Sequence, residues 1–253
     1  MLRVWAVIIA GLSAGLAACT GPSEAPDIRV AVASNFLPVM AKLEAGFEAD
    51  TGYQLQTVSG STGALYTQIT QGAPYDIFLA ADAARPQRLE ADGSAVQGSR
   101  ITYALGGLVL WSNNDAALSG ASLQQTSARN KFAIANPNLA PYGRAAREVL
   151  ISEGVYEALS DRLVYGENIS QTFAFIQTGN AALGFIAKAQ LLSLDPQSQG
   201  AHWTPPASAY EPIRQDAVLL TSAADNPAAK AFMAYLRSDK AGELIATHGY
   251  ERP

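Results

Sequence analysis

The sequence predicts an α/β protein of two lobes with mostly parallel sheets. Three observations lead there. Short apolar runs alternate with amphipathic stretches of helical period, the pattern of strands followed by covering helices. Four run-to-helix junctions share one form: an extended segment, a short polar or glycine-containing turn, then a helix start. The 253 residues, less an 18-residue leader, leave 235, enough for two modest domains.

The leader comes first. Met1-Leu2-Arg3 supplies a short positive region, Val4 to Leu16 is apolar or small throughout, and Leu16-Ala17-Ala18-Cys19 follows. That run falls short of the roughly 20 residues a spanning helix needs, so residues 1–18 read as an export signal. Residues 16–19 resemble the lipobox of bacterial lipoproteins, in which the cysteine is acylated. The competing reading is an ordinary secretory signal that happens to precede a cysteine; the lipobox is preferred because Cys19 is the only cysteine in the chain. Residues 19–26 then form a tether of polar, Pro- and Gly-containing composition. One acyl chain binds a membrane only marginally, so a firm anchor needs more than one.

Ile28–Ala33 reads as the first strand. Leu37, Met40, Leu43 and Phe47 recur at helical spacing up to a stop at Gly52, with Pro38 in the first turn, where its missing N–H costs nothing. Tyr53–Val58 is the second strand and leads through Ser59-Gly60-Ser61-Thr62-Gly63 into a helix carrying Leu65 and Ile69. Asp76–Ala80 is a short buried strand, and Ala84–Asp92 a short helix closed by Gly93. From Ile101 to Trp111 the chain is extended and apolar but broken by Gly106-Gly107, which marks the crossing between lobes. Phe132–Ala135 is a strand, followed by a helix from about Tyr142 to Ser152, a helix over Ile169–Gln177 and a strand over Ala182–Ile186. Pro205–Pro212 is loop, Arg214–Thr221 returns as a strand, and helices over Pro227–Leu236 and Lys240–Thr247 finish the chain. One lobe is thus expected from residues 27–104 and 214–253, the other from 105–213.

Composition removes several function classes. With Cys19 assigned to the leader, no intrachain disulfide, thiolate metal site or cysteine nucleophile is expected. Loss of the leader removes Arg3 and leaves 16 Lys+Arg against 22 Asp+Glu, a formal charge of −6, which argues against a nucleic-acid partner. No Ser/His/Asp set, metal-ligand spacing or Gly-x-x-x-x-Gly-Lys-Ser/Thr loop is evident, so catalysis is not expected. An anion site in so acidic a chain must work through local dipoles.

The four junctions offer such dipoles. They are Ala33-Ser34-Asn35, Ser59 to Gly63, Asn136 to Gly143, and Glu167-Asn168-Ile169-Ser170. Each helix start exposes backbone N–H groups without intrahelical partners, and the helix dipole adds partial positive charge there. Together these make an anion site without any Lys or Arg. Ser34, Ser61 and Thr62 can add hydroxyl donors, and Asn35 an amide. Each junction alone is also what an ordinary N-cap looks like. The set carries more weight, because two junctions fall in each expected lobe, on the side of the sheets where α/β proteins bind ligands.

The segments V-A-V-A-S-N-F, V-S-G-S-T-G-A-L, G-A-P-Y-D-I-F-L-A-A-D, N-P-N-L-A-P-Y-G and G-F-I-A-K-A-Q are similar to those of the periplasmic molybdate-binding proteins of ABC importers. The resemblance runs from about Asp27 to the C-terminus, and Gly72–Asp82 is its most specific part. It implies a periplasmic-binding-protein fold: two α/β lobes joined by crossover strands, with a ligand cleft between them. It implies a binding protein with no cofactor, not an enzyme. The ligand it implies is molybdate or tungstate, held by backbone amides and hydroxyls with no direct protein–metal ligand. Carried over by position, the contacts are Ser34, Ser61, Tyr142 and the backbone N–H of Ile169, with Asn35 as a fifth. The implied partners are a membrane permease and its ATPase, with the membrane itself reached through Cys19. The implied place is the periplasmic side of a bacterial membrane, and the chain is expected to be a monomer. A binder of sulfate or phosphate on the same fold is the alternative. Ferric ion would need a tyrosine or histidine and carboxylate cluster that these residues do not supply.

One departure stands out. Many members carry a tyrosine after the Gly-Ile-Val strand, where this chain has Ala187. Tyr142 stands where those members have a small residue and is expected to supply the missing hydroxyl. Of the other polar residues, Asp82 is expected as a helix cap and Asp76 as a turn or interlobe hydrogen-bonding residue. Arg144 and Lys188 are expected to face solvent, His248 to end a helix, and Tyr210–Pro212 to pack at the second crossing. His202 and Trp203 have no evident partner.

Overall fold

The computed structural model describes residues 26–114, 117–124 and 130–253. The export signal, Cys19 and all of the tether but Pro26 lie outside the described residues.

The first lobe opens with β1 (Ile28–Ala33), α1 (Leu37–Thr51), β2 (Leu55–Gly60), α2 (Thr62–Thr70), β3 (Ile77–Leu79), α3 (Ala84–Ala91) and β4 (Ile101–Gly106). The chain passes at Gly107 to β5 (Leu108–Ser112) in a second sheet. There it builds α4 (Gly120–Gln124), β6 (Phe132–Ala135), α5 (Pro141–Ser152), α6 (Tyr156–Leu159), β7 (Leu163–Gly166), α7 (Ile169–Gln177), β8 (Leu183–Ala187), α8 (Lys188–Leu192) and β9 (Ala201–Trp203). It returns to the first sheet as β10 (Ile213–Leu219) and ends with α9 (Pro227–Leu236) and α10 (Asp239–Thr247).

The strand orders are β2-β1-β3-β10-β4 and β7-β6-β8-β5-β9. In each sheet the first three strands run parallel, while the crossing strand, β10 or β5, is antiparallel to both neighbours. Each strand of a parallel set must be followed by a crossover, so the turns leaving β1, β2, β6 and β7 all open at carboxyl ends.

Local chemistry accounts for the boundaries. Pro38 lies in the first turn of α1, and Gly52 ends that helix in the left-handed conformation, with φ of 78°. Ser61, Asn168, Asn226 and Ser238 cap α2, α7, α9 and α10 with side-chain oxygens that accept backbone N–H bonds. The central strands are apolar on both faces because helices cover both. Val30, Val32, Ile77 and Leu79 pack with Met40, Leu43 and Phe47 of α1 and Phe232 of α9, while Ala31 and Phe78 pack with Leu65 and Ile69 of α2. Burying a side chain of this size contributes about 1.5–3 kcal/mol.

β2 runs two residues later than its apolar pattern indicates, because parallel pairing with β1 continues to Ala33 opposite Gly60. β7 and β9 have little apolar signal. Both are edge strands whose residues are largely half-buried or exposed.

Candidate functional site

The four junctions meet. Ser34, Asn35 and Phe36 form a single 3-10 turn between β1 and α1, and all three are buried. Ser61 follows β2 as the cap of α2, its Oγ accepting from the Ala64 N–H at 3.3 Å. Asn136 follows β6, and Ala140, in extended conformation, delivers the chain to Pro141 and Tyr142 in the first turn of α5. Asn168 follows β7, and its Oδ1 accepts from the Gln171 N–H at 3.0 Å, leaving Ile169 as the first residue of α7.

A small cavity between the lobes is lined by Ser34, Asn35, Ser61, Tyr142 and Ile169, together with Ala33, Gly60, Thr62, Ala81, Ala140 and Pro141. About 10 Å³ is open to the centre of a water-sized sphere, roughly one such sphere's worth of room. None of the lining residues carries a charge. A wider groove of about 300 Å³, bounded by Asn136, Arg147, Tyr156 and Tyr165, lies open to solvent and shares none of the cavity-lining residues. The small cavity between the lobes, whose largely buried walls come from four helix starts, is the candidate site.

The lobes are in contact across it. The Gly63 N–H donates to the Leu139 carbonyl at 2.8 Å, Arg85 Nη2 to the Asn138 carbonyl at 3.2 Å, and Ser170 Oγ to the Ser34 carbonyl at 3.2 Å. Ala33 and Ala81 of the first lobe share an apolar cluster with Ala140, Tyr142 and Ile169 of the second. The cleft is closed.

The five residues play unequal parts within the protein. Ser34 Oγ has no protein partner among the described residues and lines the cavity. Ser61 Oγ and Thr62 Oγ1 accept backbone N–H bonds, Thr62 from Ala81 at 3.1 Å, so each keeps a hydroxyl proton to donate. The Asn35 side chain is committed elsewhere: its Nδ2 donates to Gln215 Oε1 at 2.9 Å and to Tyr250 Oη at 3.1 Å. The amide donor expected there is therefore engaged within the protein. What Asn35 offers the cavity is main chain at the start of a 3-10 turn. Tyr142 is buried, and its hydroxyl accepts from Gln215 Nε2 at 3.3 Å. Ile169 presents the first N–H of α7, and its carbonyl accepts from Gln190 Nε2 at 3.2 Å. Gln190 Oε1 in turn accepts from the N–H of Ala187, the position of the absent tyrosine, at 3.0 Å.

Burial raises the pKa of Tyr142 well above the ordinary phenol value, and the nearby Tyr250 adds to the effect. Burial does the same to Tyr103, and raises Tyr250. These hydroxyls stay protonated and can serve as donors.

The two carboxylates that flank β3 are both hydrogen-bonded within the first lobe. Asp82 accepts from the Arg85 N–H at 3.0 Å and pairs with the Arg85 guanidinium, so it caps the start of α3. Asp76 accepts from the Arg29 N–H at 2.6 Å and from Asn226 Nδ2 at 3.4 Å. Both partners belong to the first lobe, so Asp76 ties that lobe together and does not bridge the two. Arg144 is exposed and pairs with Glu148, and Lys188 is exposed. The His248 ring caps α10 through Nδ1, 2.7 Å from the Leu244 carbonyl oxygen. His202 lies exposed on β9, and the Tyr210 hydroxyl accepts from the Leu108 N–H at 3.4 Å, beside the crossing.

Sequence reasoning missed Gln215, Tyr103, Tyr250 and Gln190. Gln215 did leave a signal. Gln215-Asp216 is a polar pair inside the apolar strand β10, and both residues are fully buried, a placement that requires partners.

A family model for bacterial extracellular solute-binding proteins matches residues 28–251. This chain belongs to that family. Among the solute-binding proteins it resembles, the molybdate-binding protein ModA of Azotobacter vinelandii is 46% identical over 245 residues, covering 96% of each chain. ModA of Rhodobacter capsulatus is 43% identical over 229 residues, covering 90% of each. A solved structure of the Azotobacter vinelandii periplasmic molybdate-binding protein superposes with a TM-score of 0.85 at 38% identity, covering 89% of this chain and 99% of that one. The two-lobed α/β architecture of this solute-binding protein is therefore the periplasmic-binding-protein fold.

Proposed function

We propose that this solute-binding protein takes up molybdate or tungstate in the cavity between its lobes and serves an ABC importer as its extracytoplasmic binding component. The observation that carries this reading is a small cavity with largely buried walls, lined by hydroxyls and helix starts and by no charged side chain. A similarity to molybdate-binding proteins that spans nearly the whole chain stands beside it. Ser34, Ser61 and Tyr142 would donate hydroxyl protons, and Asn35 and Ile169 backbone N–H groups. The metal stays inside its own oxygen shell and no protein atom ligates it.

A charge taken out of water must be fully hydrogen-bonded, and each bond to a charged group contributes about 1.5–3 kcal/mol. A pocket that presents donors favours a fully deprotonated tetrahedral dianion. Hydrogen phosphate brings a proton that needs an acceptor. Asp82, which follows the lining residue Ala81, is already bound to Arg85 and α3. Sulfate matches the charge but is smaller, so size is the only property by which the site can tell it from molybdate.

The lobe division expected from the sequence, 27–104 with 214–253 against 105–213, supplies the two jaws. Closure is a hinge motion about the crossings, favoured because the anion gains donors from both sides. The partners we assign are a membrane permease with its ATPase. Acylation at Cys19 would hold the protein at the periplasmic face of a membrane. Calorimetric titration of the mature chain tests the reading. Tight one-to-one binding of molybdate and tungstate, with sulfate and phosphate weak, is expected; a folded protein silent to all four would overturn it.

A further inference from the structure

We propose, on the oxyanion reading above, that Gln215 is the positioning residue that turns the Tyr142 hydroxyl proton into the cavity and so makes Tyr142 a donor to the anion. Gln215 lies on β10, fully buried, under the passage between the lobes. Its Oε1 accepts from Asn35 Nδ2 at 2.9 Å and faces the Tyr103 hydroxyl at 3.1 Å. The Tyr103 proton also has the Ala80 carbonyl at 3.0 Å to go to, so it is the Asn35 donor that fixes which way the amide points. Nε2 is therefore the end that meets Tyr142, and it donates to Oη at 3.3 Å. With a lone pair of that oxygen already occupied, the Tyr142 proton must seek an acceptor elsewhere.

Tyr250 Oη is the competing acceptor, since the two phenols also interact. It is a neutral oxygen that already accepts from Asn35 Nδ2, while its own proton goes to the Asn35 carbonyl at 2.8 Å. A dianion in the cavity competes better, because hydrogen bonds to ionised acceptors are roughly twice as strong as neutral ones. The pair is held without slack. A Cβ added at Gly106 would lie 2.2 Å from Tyr142 Oη and 2.6 Å from Gln215 Nε2. A side chain outside the cavity, absent from its lining, thus sets the donor pattern inside it.

Exchanging the donor at this point for an acceptor is the test. In Gln215→Glu an ionised carboxylate would draw the Tyr142 proton away from the anion and place a like charge behind it. Burial raises the pKa of the introduced carboxyl, with buried glutamates reaching about 8–9. Below that value the neutral acid donates to Tyr142 much as the amide does. Dilute-molybdate affinity of Gln215→Glu should therefore be near wild type at about pH 6 and fall about 100-fold or more by about pH 9, while wild type stays flat. Gln215→Leu should weaken binding about 10-fold at all pH values, and that loss should vanish in a Tyr142→Phe background. Far-UV circular dichroism and melting without ligand check that each variant folds.

Should the variants not fold, the wild-type protein gives the readout. The side-chain amide protons of Gln215 should shift in NMR spectra on adding molybdate, and less so in Tyr142→Phe. Wild-type affinity at all pH values in Gln215→Glu, losses in the two Gln215 variants that are equal and pH-independent, or no amide shift in wild type would each overturn the assignment. Silence of the wild-type protein toward molybdate would instead overturn the oxyanion reading itself.

Discussion

Tyr142 enters the wall of the cavity as an uncharged donor, and its burial keeps it so. Removing one hydrogen bond to a charged group costs about 1.5–3 kcal/mol. Tyr142→Phe should therefore weaken molybdate binding about 10- to 150-fold in calorimetry. It should also lower stability by about 1–3 kcal/mol, because Gln215 Nε2 is left without an acceptor. Unchanged affinity would mean that the hydroxyl does not reach the anion and that the hydroxyl missing at Ala187 is not replaced. The same burial has a consequence at alkaline pH. Tyr103, Tyr142 and Tyr250 all have raised pKa values in the folded state, so the unfolded chain ionises first, near the ordinary value of about 10. Their contribution is complete below that pH and is lost as pH rises beyond it, at about 1.4 kcal/mol per pH unit for each phenol. Denaturant melts from pH 8 upward should show a level ligand-free stability that falls steeply above about pH 10. A level profile through pH 11 would mean that these phenols ionise alike in the folded and unfolded states.

At the scale of elements, the site depends on helix starts. α7 is held open at its first turn by the Asn168 cap and by Gln190, which binds the Ile169 carbonyl. Asn168→Ala should cost about 1 kcal/mol in chemical denaturation. It should also weaken molybdate binding, since a frayed first turn no longer aims the Ile169 N–H. Affinity unchanged at reduced stability would assign the cap to folding alone. These starts were legible in the sequence because capping chemistry is local. Ser61 and Asn168 sit where the polar turn meets the apolar helical repeat, and both cap. Strands buried on both faces were legible for a like reason: Ile28–Ala33 and Phe132–Ala135 are continuous apolar runs. β7 and β9 were not, because edge strands with exposed residues lack that pattern. Nor was the commitment of the Asn35 amide, whose partners Gln215 and Tyr250 lie 180 and 215 residues away in the chain. Local sequence shows which groups need a partner; only the packed fold shows which partner they find.

At the scale of the whole molecule, function requires that two separately packed lobes meet over one small ligand. The meeting is polar and thin at the rim, where the Gly63 N–H reaches the Leu139 carbonyl at 2.8 Å and Arg85 reaches Asn138. A Cβ at Gly63 would stand 3.0 Å from that carbonyl oxygen and 3.1 Å from both the Leu139 Cα and Arg85 Nη2. Backbone on the far side cannot yield as a flexible side chain could. Gly63→Val should therefore act as a wedge, leaving each lobe's core intact while holding the cleft ajar. Without ligand its melting should stay close to wild type. Ligand linkage supplies a contrasting readout: at about 1,000 times Kd a bound anion adds about 4 kcal/mol, which for a chain of this size raises Tm by roughly 8–16 °C. Wild type should show that rise with molybdate, together with a smaller radius of gyration in solution scattering. Gly63→Val should lose most of both, because an anion held by one lobe gains only part of its donors. A variant that still contracts and gains the full Tm shift would show that the Gly63–Leu139 contact is incidental to closure, and that the cavity residues alone bring the lobes together.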